Sequence, residues 1–356
     1  MCSETSVRDA TSPGNRGRCT RNLLDVIELD EQIRAVAGPL TSARDVTLLA
    51  HISPDADALG SALALGLALH RGGAKVRVSF AEPEDVPETL RCLDSAGLAV
   101  PATQVPEVPE VLVVLDTGSL QRLGELAGRV AATIDAGGAV VVIDHHASNP
   151  RYGTHHLIDD SAEATAVLVL ALLDELGVTV DEPIARCLYA GLLTDTSSFR
   201  RATPATHATA GRLLEAGVAP DALGRELQDS HPFAWLPMLS TVLAGARLEP
   251  ESARGLGLVH AAVPADAVAA VRTEEVEGVV DVVRGTTEAE VAVVLKELSP
   301  GRWTVSLRAK SRLDVRAVAQ SLGGGGHRLA AGCTLDGSVE EALAALRTAL
   351  AEAPLL

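Results

Sequence analysis

Aromatic residues are scarce in this chain: two Trp, two Tyr and three Phe among 356 residues. The core must therefore be aliphatic, and platforms for stacking single-stranded nucleic acid are few. No apolar run reaches the roughly 18 residues needed to cross a bilayer, so no membrane partner is expected. The opening stretch, MCSETSVRDATSPGNRGRCTR, lacks an apolar signal-peptide core, and residues 1–22 read as a disordered tail. Five cysteines (Cys2, Cys19, Cys92, Cys187, Cys333) show no CxxC spacing. That argues against a disulfide framework or a cysteine zinc site and suits a reducing cytoplasm. Positive charge is also short. A net charge of −17 disfavours binding to long duplex DNA. One segment departs from this. Between Arg302 and Arg328, six basic residues (Arg302, Arg308, Lys310, Arg312, Arg316, Arg328) face one acid, Asp314. A basic patch on an acidic chain suits a small anionic ligand.

Strands and helices alternate through the first half. VTLLAH, KVRVSF, VLVVLD and VVVIDHH read as buried strands, separated by helical stretches such as ALGSALALGLALHRGG. This predicts an α/β fold with a parallel sheet, helices on both faces and right-handed crossovers. From Ser161 the pattern turns helical, with Ser161 and Thr203 as expected caps. His155 and His156 are expected in a loop. The predicted organisation is a first domain over residues 23–217, a helical connector over 218–249 and a smaller α/β domain over 250–356. In the latter, EVAVVLKEL and WTVSLRAK form a hairpin through Ser299-Pro300-Gly301, and a helix leads into a glycine-rich loop.

Each buried run ends in polar residues: His51, Asp55 and Asp57 after the first, Asp116 after VLVVL, and Asp144, His145 and His146 after VVVI. Open α/β sheets place their ligands at such carboxyl ends. Asp195 in LLTDTSSFR adds a further acid. Carboxylates about 4 Å apart repel by about 4 kcal/mol per pair at an effective dielectric near 20. Four of them, Asp55, Asp57, Asp116 and Asp195, are tolerable together only with cations between them, and two divalent ions would balance their charge. Imidazole and carboxylate donors suit Mn²⁺, Zn²⁺ or Fe²⁺ better than Ca²⁺, with Mg²⁺ also admissible.

The set HISPDADALGS, LDTGS, DHH and LTDT resembles the DHH phosphoesterase superfamily, and GGGGHRLAAG resembles the glycine-rich motif of its associated C-terminal domain. The likeness runs from about residue 23 to the end, and size and layout resemble the nano-RNase and pAp-phosphatase branch. It implies a hydrolase acting on short oligoribonucleotides, on 3′-phosphoadenosine 5′-phosphate (pAp), or on cyclic di-AMP and its linear product. One metal would be held by His51, Asp55 and Asp116, the second by Asp57, Asp116, His145 and Asp195, with a metal-activated water as nucleophile. Mn²⁺ is the expected ion, with Mg²⁺, Co²⁺ and Zn²⁺ as alternatives. Asp144 would orient imidazoles and His146 would face the substrate. Gly324, Gly325, Gly326, His327 and Arg308 would bind substrate, with His327 and Arg308 on a terminal phosphate. A homodimer is a further expectation from the likeness. The rival readings are a nucleotide sensor without turnover and a relative that acts on pyrophosphate or longer single strands.

Overall fold

The computed structural model of the chain describes residues 23–269 and 271–356, so the expected tail lies outside the described residues. The first half is organised on a parallel sheet of β1 (Asp45–Leu49), β2 (Lys75–Ser79), β3 (Val111–Leu115), β4 (Ala139–Asp144) and β5 (His155–Ile158), in the order β2-β1-β3-β4-β5. Alternate side chains of the central strands feed two different cores. Leu48, Val113, Leu115, Val141 and Ile143 pack with α1 (Leu23–Thr41), α2 (Ala56–Arg71), α4 (Thr165–Glu175) and α5 (Glu182–Asp195). Leu49, Leu112, Val114, Val140 and Val142 pack on the other face with Leu123, Leu126 and Val130, the last from α3 (Gly128–Asp135). A sheet covered on both faces explains the unbroken apolar runs.

The strand order reverses direction between β1 and β3, and the crevice outside their carboxyl ends is where such sheets bind ligands. His51 and Asp116 follow those two strands. Helices α2 and α5 approach each other closely because Gly60 and Gly191 carry no side chain. A Cβ on Gly60 would meet the Cys187 carbonyl at 2.5 Å, and one on Gly191 would meet Asp57 Oδ1 at 2.4 Å.

Helix α6 (Pro204–Glu215) opens on a capping box at Thr203, as the sequence suggests. Ser161 does not cap α4, which begins later, at Thr165. His155 and His156 stand on the edge strand β5 rather than in a loop, where His156 pairs with Val142. The connector is divided between two cores. Leu223 of α7 (Pro220–Gln228) is buried in the first, while Met238 and Val242 of α8 (Trp235–Ala244) are buried in the second.

The second sheet is mixed, in the order β10-β11-β9-β8-β7-β6, from β6 (Arg247–Glu249), β7 (Leu258–Val263), β8 (Val291–Ser299), β9 (Arg302–Ala309), β10 (Gly325–His327) and β11 (Ala330–Asp336). The expected hairpin is β8–β9. The glycine-rich segment is a strand, β10, paired antiparallel with β11 rather than a loop. Short turns α9 (Ser252–Gly255), α10 (Ala265–Val268), α11 (Thr273–Glu277) and α12 (Val279–Val283) lie between β6 and β8. Helices α13 (Val315–Ser321) and α14 (Val339–Glu352) cover one face. The opposite face is covered over β7 and β8 by α8 and α12. Glu88 in the first domain touches the second twice: Arg272 lies 3.1 Å from its carboxylate, and its backbone N–H donates to Glu274 at 2.8 Å.

Candidate metal centre

The strand tips bring their polar residues into one group. Asp116 stands at its centre, buried, at a left-handed φ of 51° immediately after β3. Its Oδ2 lies 3.7 Å from His51 Nε2 and its Oδ1 lies 3.4 Å from His145 Nε2. Asp55 caps α2, accepting from the N–H groups of Asp57 and Ala58, and its other oxygen lies 3.8 Å from His51 Nε2. Asp195, the last residue of α5, lies 3.2 Å from His145 Nε2. His51, Asp55 and Asp116 form one set able to share an ion, and Asp57, His145 and Asp195 form another.

The electrostatics of the group are unbalanced. Burial raises Asp57, and the charges of Asp116 and Asp195 raise it further. Burial also raises Asp195. On His145, burial works against the charged form, yet Asp116 and Asp195 on either side hold its pKa well above the ordinary histidine value. Burial works to raise Asp116, but the imidazoles of His145, His146 and His51 hold it far below the carboxylate range.

His145 supplies the test of whether this donor set fits a cation. Its Nδ1 lies 3.1 Å from the Ala162 carbonyl, which can only accept, so the proton belongs there and the lone pair belongs to Nε2. That Nε2 is buried, points between two carboxylates and has no hydrogen-bond partner. Its position between anions calls for a positive charge, which a second proton supplies in the metal-free fold and which a divalent ion, taking the Nε2 lone pair in place of that proton, supplies while also balancing the carboxylates. His51 Nδ1 lies 2.8 Å from both the Ile52 carbonyl, which can only accept, and the Arg122 guanidinium, which can only donate, so the two compete for one nitrogen, while Nε2 faces Asp55 and Asp116.

Asp144 is fully buried beside this group and its oxygens are already committed. Oδ1 accepts from His146 Nδ1 at 2.7 Å, and Oδ2 accepts from Asn149 at 2.7 Å. His146 is thereby fixed with its other edge turned outward. There it stacks on His327 of the second domain, ring centroids 4.2 Å apart. Gly324 and Gly326 are glycines because β11 packs against them: a Cβ would meet Gly332 O at 2.1 Å and Ala330 O at 2.6 Å, respectively. Gly325 alone looks onto open space. Arg308 lies on the same row of the sheet as His327, each being the register neighbour of Ala330.

Three further residues, Thr165, Asn149 and Arg122, have no counterpart in the sequence reading of the site. Thr165 donates its hydroxyl to Asp116 Oδ1 at 2.9 Å and its backbone N–H to Asp57 Oδ2 at 2.7 Å. Asn149 and Arg122 hold Asp144 and His51 as described. Arg201 donates to the Asp195 carbonyl. Of the three, Asn149 alone has a sequence signal, lying close after DHH; Thr165 and Arg122 reach the site through the fold.

A doubly covered parallel sheet with clustered carboxylates and imidazoles at its switch point, faced by a second α/β domain, defines a class. The DHH family's N-terminal domain matches residues 45–192 and the DHHA1 domain matches residues 259–352. The chain belongs to the DHH family, whose phosphoesterases are metal-dependent hydrolases. A Thermus thermophilus protein named bifunctional oligoribonuclease and PAP phosphatase NrnA is 35% identical over 334 residues, 92% of this chain and 94% of that one. A Streptococcus mutans protein named probable bifunctional oligoribonuclease and PAP phosphatase NrnA is 25% identical, across 79% of this chain and 86% of its own. An exopolyphosphatase-related protein from Bacteroides fragilis superposes with a TM-score of 0.80 at 22% identity, covering 91% of this chain and 96% of that one. That likeness concerns the fold.

Proposed function

We propose that the chain is a phosphoesterase that hydrolyses very short oligoribonucleotides and pAp, with cyclic di-AMP and its linear product as further candidates. The observation that carries this reading is the buried, unpartnered Nε2 of His145 between Asp116 and Asp195. Two divalent ions, Mn²⁺ first among them, are assigned to the donor sets. His51, Asp55 and Asp116 would hold one, and Asp57, Asp116, His145 and Asp195 the other. When bound, such ions neutralise the carboxylates, polarise a phosphoryl oxygen and activate water.

The chain's own groups do the rest. Thr165 fixes the rotamer of Asp116 through its hydroxyl. Asp144 takes the proton side of His146, leaving His146 Nε2 to face the phosphoryl oxygens or the leaving group. His327 closes over His146 and keeps bulk water from that face. Gly325, open to the cleft, lets a phosphate or ribose approach the β10 backbone. Closure between two domains also suits short substrates over long or structured RNA.

Among the described residues no helix is long and apolar enough to cross a membrane. The proposed substrates place the reaction in the cytoplasm, and a homodimer is the proposed assembly, to be read by size-exclusion chromatography with light scattering. Function is tested by a hydrolysis panel with Mn²⁺: pAp, a 5′-phosphorylated diribonucleotide, a longer oligomer, cyclic di-AMP and pyrophosphate, with Asp116→Ala as control. Mononucleotide released from pAp or the dinucleotide, and lost in the control, supports the reading. Cleavage of pyrophosphate alone overturns it.

A further inference from the structure

Two groups contend for one nitrogen of His51, and the winner decides what its other nitrogen can do. Nδ1 lies 2.8 Å from the Ile52 carbonyl and 2.8 Å from a terminal nitrogen of the Arg122 guanidinium. The carbonyl needs a proton on Nδ1 and the guanidinium needs a lone pair there. In a neutral ring the two nitrogens hold one proton between them. A proton on Nδ1, given to Ile52, leaves the lone pair on Nε2. A lone pair on Nδ1, taken by Arg122, puts the proton on Nε2. That Nε2 faces Asp55 at 3.8 Å and Asp116 at 3.7 Å, the carboxylates assigned with it to the first ion. Only the first of these tautomers can bind that ion.

The fold builds Arg122 into this place. It belongs to the segment Leu120–Ala127, between β3 and α3. Its own carbonyl accepts from the Ile52 N–H at 2.8 Å, so its main chain and its side chain grip the same turn. Leu123 and Leu126 of the segment are buried in the core shared with α3. Gly124, at a left-handed φ of 56°, lets the segment lie flat on the turn. A Cβ there would meet Ile52 Cγ2 at 3.0 Å and Ala81 Cβ at 2.9 Å. Among the described residues the guanidinium has no carboxylate partner, and its one hydrogen bond goes to His51. A full charge is thus spent on an imidazole.

The relative strength of the two bonds sets the balance. A hydrogen bond from a charged donor is roughly twice as strong as a neutral one. With Arg122 engaged, the Nε2–H also points at two carboxylates. Both effects favour Arg122 while the site is free of metal. With a divalent ion at Nε2 the balance reverses, because the lone pair is needed on that side. The Nε2 proton leaves to solvent, Nδ1 takes one up and gives it to the Ile52 carbonyl, and no net proton is exchanged. The guanidinium must then withdraw, since two donors cannot share one nitrogen.

We propose that Arg122 is a gate on the first ion site: it holds metal-free His51 in the tautomer that refuses an ion, and ion loading expels it. This rests on the phosphoesterase reading only for the assignment of His51 to an ion. Arg122 is a positioning residue that acts through His51, and it opposes the ion rather than supporting it. Apparent ion affinity is lowered by the fraction of molecules whose His51 is in the competent tautomer. Loading also frees the guanidinium, with all its donors, beside the first ion set.

The test uses the full chain, stripped of metal, beside the variant Arg122→Met, which keeps an apolar stem and removes the donors. Mn²⁺ affinity is read by titration calorimetry. The His51 tautomer is read by nitrogen NMR of isotope-labelled histidine, with His51→Gln locating its resonances. The metal-free wild type should carry the His51 proton on Nε2, and Arg122→Met should carry it on Nδ1. The variant should bind Mn²⁺ roughly tenfold more tightly, the factor by which the charged bond favours the refusing tautomer. A guanidinium also repels a cation directly, and a double-mutant cycle separates that effect. In His51→Gln, which has no tautomers, Arg122→Met should change Mn²⁺ affinity by less than about twofold. A proton on Nδ1 in the metal-free wild type overturns the gate. So does an equal gain in both backgrounds, which assigns the effect to charge. So does an affinity that is unchanged or weaker in Arg122→Met, as expected if the residue merely braced the turn. None of these measurements needs turnover: should the tautomer and affinity shifts appear in a chain that hydrolyses nothing, the gate stands and the phosphoesterase reading falls.

Discussion

His327 lies face to face with His146, the ring planes inclined by 24°. The two imidazoles belong to different sheets, so the contact exists only while the second domain sits against the strand tips of the first. Burial, followed by the charges of His146 and His145, pushes His327 down to about 3. It is therefore neutral under ordinary conditions, with one N–H to give and one lone pair. His327→Ala should raise KM for short nucleotides by about tenfold, the worth of one hydrogen bond to a charged group, with a smaller fall in kcat. Steady-state kinetics on pAp checks this, and an unchanged KM would remove His327 from substrate binding.

Ion binding should be visible without turnover. A ligand that binds only the folded state adds about 2.7 kcal/mol of stability at a hundred times its Kd. Mn²⁺ should accordingly raise the melting temperature of the wild type by several degrees, and Asp116→Ala should abolish most of that rise. Asp144→Ala leaves the ligand sets intact but removes the acceptor that orients His146. Its activity should fall roughly 10–100-fold, while the Mn²⁺-induced shift persists. Calorimetric melting curves paired with rates separate the two effects.

Acidity should oppose ion binding in a defined direction. His145 and His146 are both raised in the metal-free fold, where carboxylate neighbours overcome the effect of burial. Groups raised above their unfolded values contribute stability that is fully present below about 6.5 and is lost as pH climbs through their folded values. His327, being lowered, acts with the opposite sign, but only below about 6.5. Above that pH the metal-free protein should lose stability as pH rises. Ion binding must expel the His145 proton, so apparent Mn²⁺ affinity should increase over the same window. Titration calorimetry in buffers of different ionisation enthalpy should show net proton release; an affinity independent of pH would contradict it.

Gly191→Ala tests the packing beneath the site. The new Cβ would stand 2.4 Å from Asp57 Oδ1 and 3.0 Å from Asp57 Cα. Neither atom can yield easily, since Asp57 accepts from the N–H groups of Thr165 and Ala166 with its two oxygens. A loss of about 1–3 kcal/mol in denaturant unfolding is expected, together with weakened Mn²⁺ binding. Gly211→Ala, on an open helical position, should cost far less.

Much of this fold was legible because a doubly covered parallel sheet writes its strands as unbroken apolar runs. VVVIDHH announces β4 and the polar residues beyond it without any neighbour's help. Five of the six residues of the proposed ligand sets, His51, Asp55, Asp57, Asp116 and His145, follow such runs, whereas Asp195 ends helix α5. Elements whose signal is not periodic were missed. The edge strand β5 is four residues long and holds two histidines, and its amide N–H at Ile158 is satisfied by the Gln32 side chain from α1. The glycine-rich strand β10 reads as a loop because its glycines are there for close approach to β11. Ser161 looks like a helix cap, but Asp57, more than a hundred positions earlier, takes the first amides of α4. Arg122 and Thr165 reach the centre only through tertiary folding, which no local pattern encodes.

The row His327–Ala330–Arg308 has one further consequence. Its length is a whole number of strand spacings, and neighbouring strands in a sheet sit at a nearly fixed separation. Drift by single substitutions can alter which side chains stand at each end of the row but cannot stretch it by a fraction of a step. The span between its two ends is in that sense quantised by the hydrogen-bond lattice, and only an added or lost strand would change it.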